Sequence, residues 1–377
     1  MKIISSKATL LTALSRIQGI VEKSSIKPLT SNALIEANEK GVYVSATNLQ
    51  IGMRARYKDI ETVEQGRISI NARKFFEIIK ELPEQNITIY EKENYWIEVS
   101  CGKEIKFNVI GLPPEDFPII IKEESDVFAA WETEKLINML DLTSFAISRD
   151  ESKLNICGAF VENIDNKKIR IVATDGYRLA VIDENVGDIL SIEEGFIIPY
   201  KAVVELQRIL TEKEKKKKLF ILIKNNSIVV MIGEVELFIR LLEKKFPDYK
   251  IILPGDGYSK ITVKVNKDIL KPALKRIAII SQENKRPVLF TFKENTIHIT
   301  AEDTELGRVE ETLQLEEKAS EKFSFCINSM YLLDVVNIIN DDIIIEFNKE
   351  EENRPIIVKK SGSGNDLRYV IMPMVMD

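Results

Sequence analysis

An acid and a cation three residues apart offer the best-defined chance of chemistry in this sequence. The segment Thr174–Arg178 reads Thr-Asp-Gly-Tyr-Arg, and Asp175 with Arg178 could serve phosphate chemistry. The same residues suit a tight turn between two strands, because Asp and Gly supply turn geometry. The pattern favours the turn, and a phosphate-handling enzyme that uses Asp175 and Arg178 stays open as an alternative.

The single histidine excludes whole classes of catalytic site. His298 lies in the segment Thr296–Thr300, where Ile297 and Ile299 alternate with polar residues, a pattern typical of a strand. The alternation predicts that His298 lies on the solvent face of that strand. A nucleophile–histidine pair or a His-ligated metal would have to use this residue, so the sequence favours neither.

The cysteines and glycines do not indicate a metal or nucleotide site. Cys101, Cys157 and Cys326 lie far apart without a CxxC pair, so nothing requires zinc or an oxidising compartment. No phosphate-binding loop of the G-x-x-x-x-G-K-[ST] type occurs, and Ser361–Asn365 (SGSGN) is expected to form a hairpin loop. We therefore expect no cofactor, no metal ion and no catalytic residue.

Length and composition indicate a protein of several globular domains. The chain has 377 residues, of which 45% are hydrophobic and 30% charged, and this length exceeds the ~100–200 residues of one ordinary domain. No apolar run approaches the ~18 residues of a membrane span, and polar residues interrupt the first helical segment as no secretory signal would. We expect a cytoplasmic protein.

A strand followed by a helix occurs three times at a constant spacing. The junctions fall at Asn71, Pro199 and Asn328, which are separated by 128 and 129 residues. A second landmark, an alternating strand that ends near Ala46, Ala173 and Ala301, repeats after 127 and 128 residues. Self-similarity at a fixed period indicates a repeated structural unit.

Another helix precedes each alternating strand, so every third of the chain holds two helix-then-strands units. Its apolar residues correspond in the three thirds, as Leu10, Leu14 and Ile17; Leu136, Leu140 and Thr143; and Leu270, Leu274 and Ile277. We predict an α+β protein of three similar domains, 1–125, 126–253 and 254–377, each with helices on one face of antiparallel sheets. Proline, glycine and charged residues cluster at 112–125 and 253–257, and these two segments are the predicted linkers between domains.

Charge is distributed unevenly although the net charge is −6. The six predicted helical windows carry a net +5 and the remainder −11, so a surface lined by these helices would attract phosphate. The run Glu212–Lys218 is better explained as a solvated connection than as a nucleic-acid site. The windows are 7–23, 71–82, 132–149, 199–211, 266–280 and 328–340.

The C-terminal segment is apolar and rich in methionine. It runs from Tyr369 to Met376 with Pro373 near its centre, which predicts an edge strand or a tail after a strand. Methionine side chains adapt to varied partners, and ordinary core packing is the alternative explanation.

Three strings together resemble one family, the bacterial sliding clamp or β subunit of DNA polymerase III. They are Ala173–Ala180 (ATDGYRLA), Phe246–Tyr249 (FPDY) and Tyr369–Met374 (YVIMPM). The resemblance implies the DNA-clamp fold: a head-to-tail homodimer of six similar domains closes into a ring, with helices inside around duplex DNA. Such a protein catalyses no reaction and acts as a nucleoid-associated tether. A repeat scaffold that binds only proteins is a further alternative.

The resemblance also implies where partners bind. The replicative polymerase, the clamp loader, and repair polymerases or ligase would insert short linear peptides into one pocket. Its expected residues are Ile156, Thr174, Gly176, Tyr177, Arg178, Leu179, Pro247, Ile252, Val370, Met372, Pro373 and Met374. The expected DNA-contacting residues are Arg73, Lys74, Arg149, Lys201 and Lys271. At the dimer interface we expect Phe107 and Val109 against Ile279 and Ile280, with ordinary core burial as the alternative for these four residues.

Overall fold

The computed structural model of the chain describes most of the sequence. The described residues are 1–22, 28–118, 129–164, 168–188, 194–210, 216–224, 226–253, 260–281, 287–317, 319, 321–348, 354–362 and 366–375. Parts of the predicted linkers, of the charged connection and of the glycine-rich loop, together with Met376, lie outside these residues. The described residues form two compact units, residues 1–134 with 204–241 and residues 135–203 with 242–377.

Six α-helices occur in the described residues, at the positions that the apolar periodicity predicts. Nine apolar-face positions that correspond between the thirds, such as Leu14, Leu140 and Leu274, are all buried, so the predicted helix faces are confirmed. The helices are α1 (Lys7–Ile17), α2 (Ala72–Glu81), α3 (Thr133–Thr143), α4 (Tyr200–Ile209), α5 (Lys267–Ser281) and α6 (Ser329–Ile338).

Two of the predicted strand–helix junctions are closed by asparagine caps. The Asn71 side chain accepts a hydrogen bond from the Lys74 backbone N–H at 3.0 Å, and Asn328 accepts one from the Met330 N–H at 2.9 Å. A side-chain oxygen at this position satisfies an N–H group that the helix leaves without a partner. The first residue of each helix is therefore encoded locally.

The first unit contains a five-stranded and an eight-stranded antiparallel sheet. Their orders are β5-β1-β7-β8-β9 and β10-β15-β16-β17-β4-β3-β2-β6. The strands are β1 (Lys2–Ser6), β2 (Asn32–Asn38), β3 (Gly41–Thr47), β4 (Ile51–Tyr57), β5 (Glu61–Glu64), β6 (Gly66–Asn71), β7 (Asn86–Glu91), β8 (Trp96–Cys101), β9 (Ile105–Ile110), β10 (Ala129–Glu132), β15 (Lys218–Lys224), β16 (Ser227–Ile232) and β17 (Val235–Arg240).

The second unit repeats this plan with an eight-stranded and a four-stranded sheet. Their orders are β14-β11-β12-β13-β25-β24-β23-β18 and β21-β20-β19-β22. The strands are β11 (Gly158–Asn163), β12 (Ile169–Thr174), β13 (Arg178–Glu184), β14 (Phe196–Pro199), β18 (Lys260–Val265), β19 (Val288–Lys293), β20 (Thr296–Asp303), β21 (Gly307–Gln314), β22 (Phe323–Ile327), β23 (Ile343–Asn348), β24 (Ile356–Lys360) and β25 (Leu367–Ile371).

Each eight-stranded sheet is assembled from two neighbouring thirds of the chain. β4 pairs with β17 in the first unit, and β13 pairs with β25 in the second. The central third therefore contributes four strands to each large sheet. The three repeated domains are present, while their boundaries at residues 125 and 253 stay a prediction.

His298 lies on the solvent face of its strand, as the alternating pattern predicts. His298 is exposed on β20 with its ring nitrogens near the Thr296 and Thr312 hydroxyls. Cys101, Cys157 and Cys326 are free thiols. The described part of the chain holds no cluster of three or more His, Cys, Asp or Glu residues suited to a metal ion, and none of its helices is long and apolar enough to cross a membrane.

Candidate functional site

The segment Thr174–Arg178 forms a tight turn between β12 and β13. The Thr174 hydroxyl accepts a hydrogen bond from the Gly176 N–H at 3.0 Å and donates one to the Arg178 carbonyl at 2.6 Å. The Asp175 carboxylate accepts bonds from the backbone N–H groups of Tyr177 and Arg178. Gly176 has φ +94°, a left-handed conformation that favours glycine. These are the bonds of a structural turn.

Arg178 fastens this turn to two other parts of the second unit. Its guanidinium donates to Asp175 at 3.0 Å, to Asp334 on α6 at 2.5 Å and to the Phe145 carbonyl at 2.9 Å. The same group lies 4.7 Å from the centre of the Tyr331 ring. Since all three of its nitrogens already donate hydrogen bonds and two carboxylates adjoin it, Arg178 is poorly placed to bind a phosphate.

The C-terminal segment runs beside the turn. Leu179 pairs with Val370 across β13 and β25, and beyond the strand the Met372 N–H donates to the Tyr177 carbonyl at 2.9 Å. Of the two expectations for this segment, an edge strand is wrong for Leu367–Ile371, because β25 is flanked by both β13 and β24, whereas a tail after a strand is correct from Met372 onward. Pro373 follows the strand, where its missing N–H costs no ladder bond.

Behind the turn and the tail lies one apolar cluster of the second unit. The Phe246 ring stacks on the Phe160 ring at 4.8 Å between centroids, and Ile252 packs against the cluster from its margin. Met372, Pro373 and Met374 are half-buried, whereas Tyr177 and Pro247 are exposed. The buried members of the cluster are Ile156, Val172, Leu179, Val181, Ile197, Phe246, Tyr249 and Val370.

The structure gives different roles to the residues expected in the pocket. Leu179, Val370 and Ile156 are buried members of the apolar cluster, so they lie beneath the surface rather than on it. Leu154, in the same single-turn helix as Ile156, is 45% exposed, whereas Ile156 is 6% exposed. Leu154 is not among the residues that the sequence analysis expects in the pocket, although it is an apolar residue two positions before Ile156.

A polar network holds the loop that carries Pro247 and Ile252. Arg170 forms a two-point ion pair with Asp183 at 2.5 and 2.6 Å, and it donates to the Tyr249 hydroxyl at 3.2 Å. That hydroxyl in turn donates to the Glu162 carboxylate. Burial raises the pKa of Tyr249, so the hydroxyl keeps its proton and can donate. The loop is thereby anchored to β11 and β12.

We expect Tyr249→Phe to lower the free energy of unfolding by about 1–3 kcal/mol, because it removes one hydrogen bond from each of two half-buried charged groups, Arg170 and Glu162. The matched control is Tyr369→Phe. The Tyr369 hydroxyl is also buried but has no hydrogen-bond partner among the described residues, so its removal should cost little. Denaturant titration of both variants measures the difference, and equal losses would contradict the anchoring role of Tyr249.

The cations expected to contact DNA lie on helices and on one loop. Lys74 is exposed at the start of α2 and pairs with Glu77 at 2.8 Å, while the neighbouring Arg73 has a buried Nε without a partner among the described residues. Arg149 is exposed after α3, 5.3 Å from the Tyr200 ring centroid. Lys201 is exposed on α4 and Lys271 is half-buried on α5.

Some of the apolar residues expected at a dimer interface are exposed in the single chain rather than buried in its core. Phe107 is exposed and Val109 is half-buried on β9, the last strand of the five-stranded sheet. Near the end of α5, Ile280 is half-buried and Ile279 is exposed. Ordinary core burial therefore does not explain Phe107 or Ile279.

Comparison with protein families gives consecutive matches along the chain. The models of the DNA polymerase III beta subunit match through the N-terminal domain at residues 1–121, the central domain at 130–248 and the C-terminal domain at 250–375. The beta sliding clamp of Proteus mirabilis is 30% identical over 339 residues, 90% of each chain. That of Chlamydia muridarum is 28% identical over 374 residues, 99% of each chain.

Solved structures show the same similarity in three dimensions. The DNA polymerase III subunit beta from Pseudomonas aeruginosa superposes with a TM-score of 0.91 at 28% identity, over 100% of both chains. A sliding clamp from Bartonella birtlesii, bound to griselimycin, superposes with a TM-score of 0.91 at 27% identity, also over 100% of both chains. With its repeated domains and its whole length matched, this chain belongs to the DNA polymerase III beta subunit family, the family of the bacterial beta sliding clamps.

Proposed function

We propose that this protein encircles duplex DNA as a head-to-tail dimer, tethers the replicative polymerase and other factors, and catalyses no reaction of its own. The observation that carries this proposal is the ordered match of all three family domains from residue 1 to residue 375. A ring holds DNA by topology, so binding needs no base recognition. Because its ligand is chromosomal DNA, we place the protein at the nucleoid in the cytoplasm.

The contact with DNA is proposed to be electrostatic and independent of sequence. Lysine and arginine neutralise phosphates without reading bases, and a modest number of cations lets a ring slide. A partner that is tethered to such a ring stays at high effective concentration beside the primer end. The cations proposed to face DNA are Arg73, Lys74, Arg149, Lys201 and Lys271.

Partner peptides are proposed to bind over the apolar cluster of the second unit, between the turn and the C-terminal tail. The buried floor is rigid, while the half-buried methionines can repack around different peptides. Leu154 joins the rim because it is exposed beside Ile156. The proposed pocket comprises Ile156, Thr174, Gly176, Tyr177, Arg178, Leu179, Pro247, Ile252, Val370, Met372, Pro373 and Met374.

The dimer is proposed to form between β9 of one protomer and the end of α5 of the other. Phe107 and Val109 would meet Ile279 and Ile280, which removes exposed apolar surface from water. Because the contact joins two different surfaces, it is head-to-tail, and two such contacts can close a ring.

A phosphate-handling enzyme that uses Asp175 and Arg178 is the less favoured function. Both side chains are occupied by bonds within the turn and to α6. The two proposals differ in a direct test. We expect no hydrolysis of ATP or p-nitrophenyl phosphate above a buffer blank, whereas the enzyme alternative requires a turnover that Asp175→Asn removes.

The tethering function is tested by primer extension on a long, singly primed circular template. The cognate polymerase and clamp loader are supplied with and without this protein, with a DNA trap that captures released polymerase. We expect the product length per binding event to rise at least tenfold when the protein is present. Products of equal length in both reactions would contradict the proposal.

A further inference from the structure

The two eight-stranded sheets carry different side chains at equivalent positions. In the second unit, one row across β11, β12 and β13 reads Phe160, Val172, Val181. The equivalent row across β2, β3 and β4 of the first unit reads Leu34, Ser45, Arg54. The shared repeat therefore places a hydroxyl and a guanidinium where the second unit has two valines.

The loops that cross these rows also correspond. Asp116–Pro118 (DFP) in the first unit matches Asp248–Lys250 (DYK) in the second, and Phe117 and Tyr249 are both buried. The two loops differ three residues before Phe117 and Tyr249, where the first unit has Pro114 and the second unit has Phe246.

This difference leaves a cavity in the first unit. In the second unit the Phe246 ring stacks on Phe160 and fills the space between loop and sheet. The first unit has the smaller residues Pro114 and Leu34 at those two positions. Both residues line a cavity of about 400 Å³, a volume within the size range of ligand pockets. Phe238 on β17 lines it as well.

The cavity has an apolar side and a polar side. Leu34, Pro114 and Phe238 supply apolar surface, whereas Ser45 and Arg54 supply hydrogen-bonding groups. Ser45 is 2% exposed, and its hydroxyl makes no hydrogen bond to another described residue. Because Ser45 lines the cavity, a ligand there can supply the hydrogen-bond partner of this hydroxyl.

The charges around the cavity restrict the ligand further. Arg54 lies 4.0 Å from the Tyr43 ring centroid and 3.5 Å from a Glu36 carboxylate oxygen, which leaves other guanidinium donors for a ligand. Glu36, Glu115 and Glu236 also line the cavity. Arg67 lines the cavity too, so three carboxylates face two guanidinium groups, and this nearly balanced lining favours a neutral ligand with hydrogen-bonding groups over a phosphate or nucleotide.

We propose that this cavity binds a tyrosine side chain presented by a peptide segment of a partner protein. The ring would occupy the volume that Phe246 fills in the second unit, against Leu34, Pro114 and Phe238. The phenol would exchange hydrogen bonds with Ser45 and accept one from Arg54. This site lies entirely in the first unit and is additional to the proposed pocket of the second unit.

The test uses N-acetyl-L-tyrosinamide and N-acetyl-L-phenylalaninamide as probes in ligand-observed NMR titrations of the full-length protein. We expect saturable binding of the tyrosine probe, at least fivefold tighter than the phenylalanine probe. Leu34→Phe, which restores the ring found at Phe160, should weaken both probes at least tenfold. Ser45→Ala should reduce the preference for the tyrosine probe at least twofold, because only the Arg54 bond to the phenol remains.

Two further outcomes separate this site from the proposed peptide pocket. The double variant Met372→Ala, Met374→Ala should bind the tyrosine probe like the unmodified protein, even if it loses partner peptides. The absence of saturable binding, equal affinities for both probes, or binding that Leu34→Phe leaves unchanged would overturn the proposal. Thermal unfolding of each variant verifies that it is folded. If the Leu34→Phe variant is not folded, the Ser45→Ala variant alone tests the proposed site.

Discussion

Truncating Met372 and Met374 to alanine together is expected to weaken the binding of a polymerase-derived peptide at least tenfold. Both side chains are half-buried beside the turn, so they offer apolar surface that a peptide would cover. Removing such surface costs about 1–3 kcal/mol in total, and about 1.4 kcal/mol corresponds to a tenfold change. Fluorescence anisotropy with a labelled peptide of the cognate polymerase measures the affinity.

The neighbouring Val375 provides the matched control for this experiment. Its side chain is 82% exposed in the same tail, so Val375→Ala should change the affinity less than twofold. The stability of the double variant should stay close to that of the unmodified protein, because the floor residues Leu179 and Val370 are intact. A loss of less than twofold in the double variant would show that the methionines do not form the peptide-binding surface.

Replacing Ile279 by aspartate is expected to raise the dissociation constant of the dimer by about 100-fold or more. Ile279 is 72% exposed in the single chain, so the substitution spares the fold. In the proposed dimer the residue is covered, and an uncompensated charge there costs several kcal/mol. Sedimentation velocity over a range of protein concentrations measures the dissociation constant.

Ile251 is the control for this second prediction, because it is 74% exposed and lies in the same unit. Ile251→Asp introduces the same charge in the loop of the proposed peptide pocket, which is part of neither β9 nor α5. We expect this variant to remain dimeric at concentrations that dissociate the Ile279→Asp variant. Equal dissociation by both variants, or by neither, would be incompatible with the proposed interface.

The parts of the fold that depend on local pattern could be predicted from the sequence. Apolar residues spaced three and four apart identify the buried faces of the helices, as Leu10, Leu14 and Ile17 show. Asn71 and Asn328 identify where two helices begin, because a cap acts on N–H groups two or three residues away. The repeat period then relates the three thirds without any knowledge of their packing.

The parts that depend on distant contacts could not be predicted in the same way. Arg178 is held by Asp334, which lies 156 residues away in the sequence, and no local pattern links the two. Pro373 led us to expect an edge strand or a tail after a strand; β25 ends before that residue, so the proline lies in a tail and the strand itself is free to be central. Which of Leu154 and Ile156 is buried depends on how one helical turn meets the apolar cluster.

The difference between the two large sheets was equally hidden from the sequence alone. Arg54 and Val181 occupy equivalent places in the repeat, but only the strand register shows that they do. The space that Pro114 leaves beneath its loop is recognised only by comparison with the second unit, where the Phe246 ring fills the equivalent space. Such comparisons require both copies of the repeat in three dimensions.

The central claim, that DNA is held by encirclement, is tested most directly by a retention measurement on circular DNA. The protein is loaded by the cognate clamp loader onto a nicked circle, separated from free protein by gel filtration, and followed after a restriction enzyme linearises the circle. We predict that the protein stays with the intact circle and leaves from the free ends of the linear form. Equal retention on both forms, or no retention on the circle, would contradict encirclement.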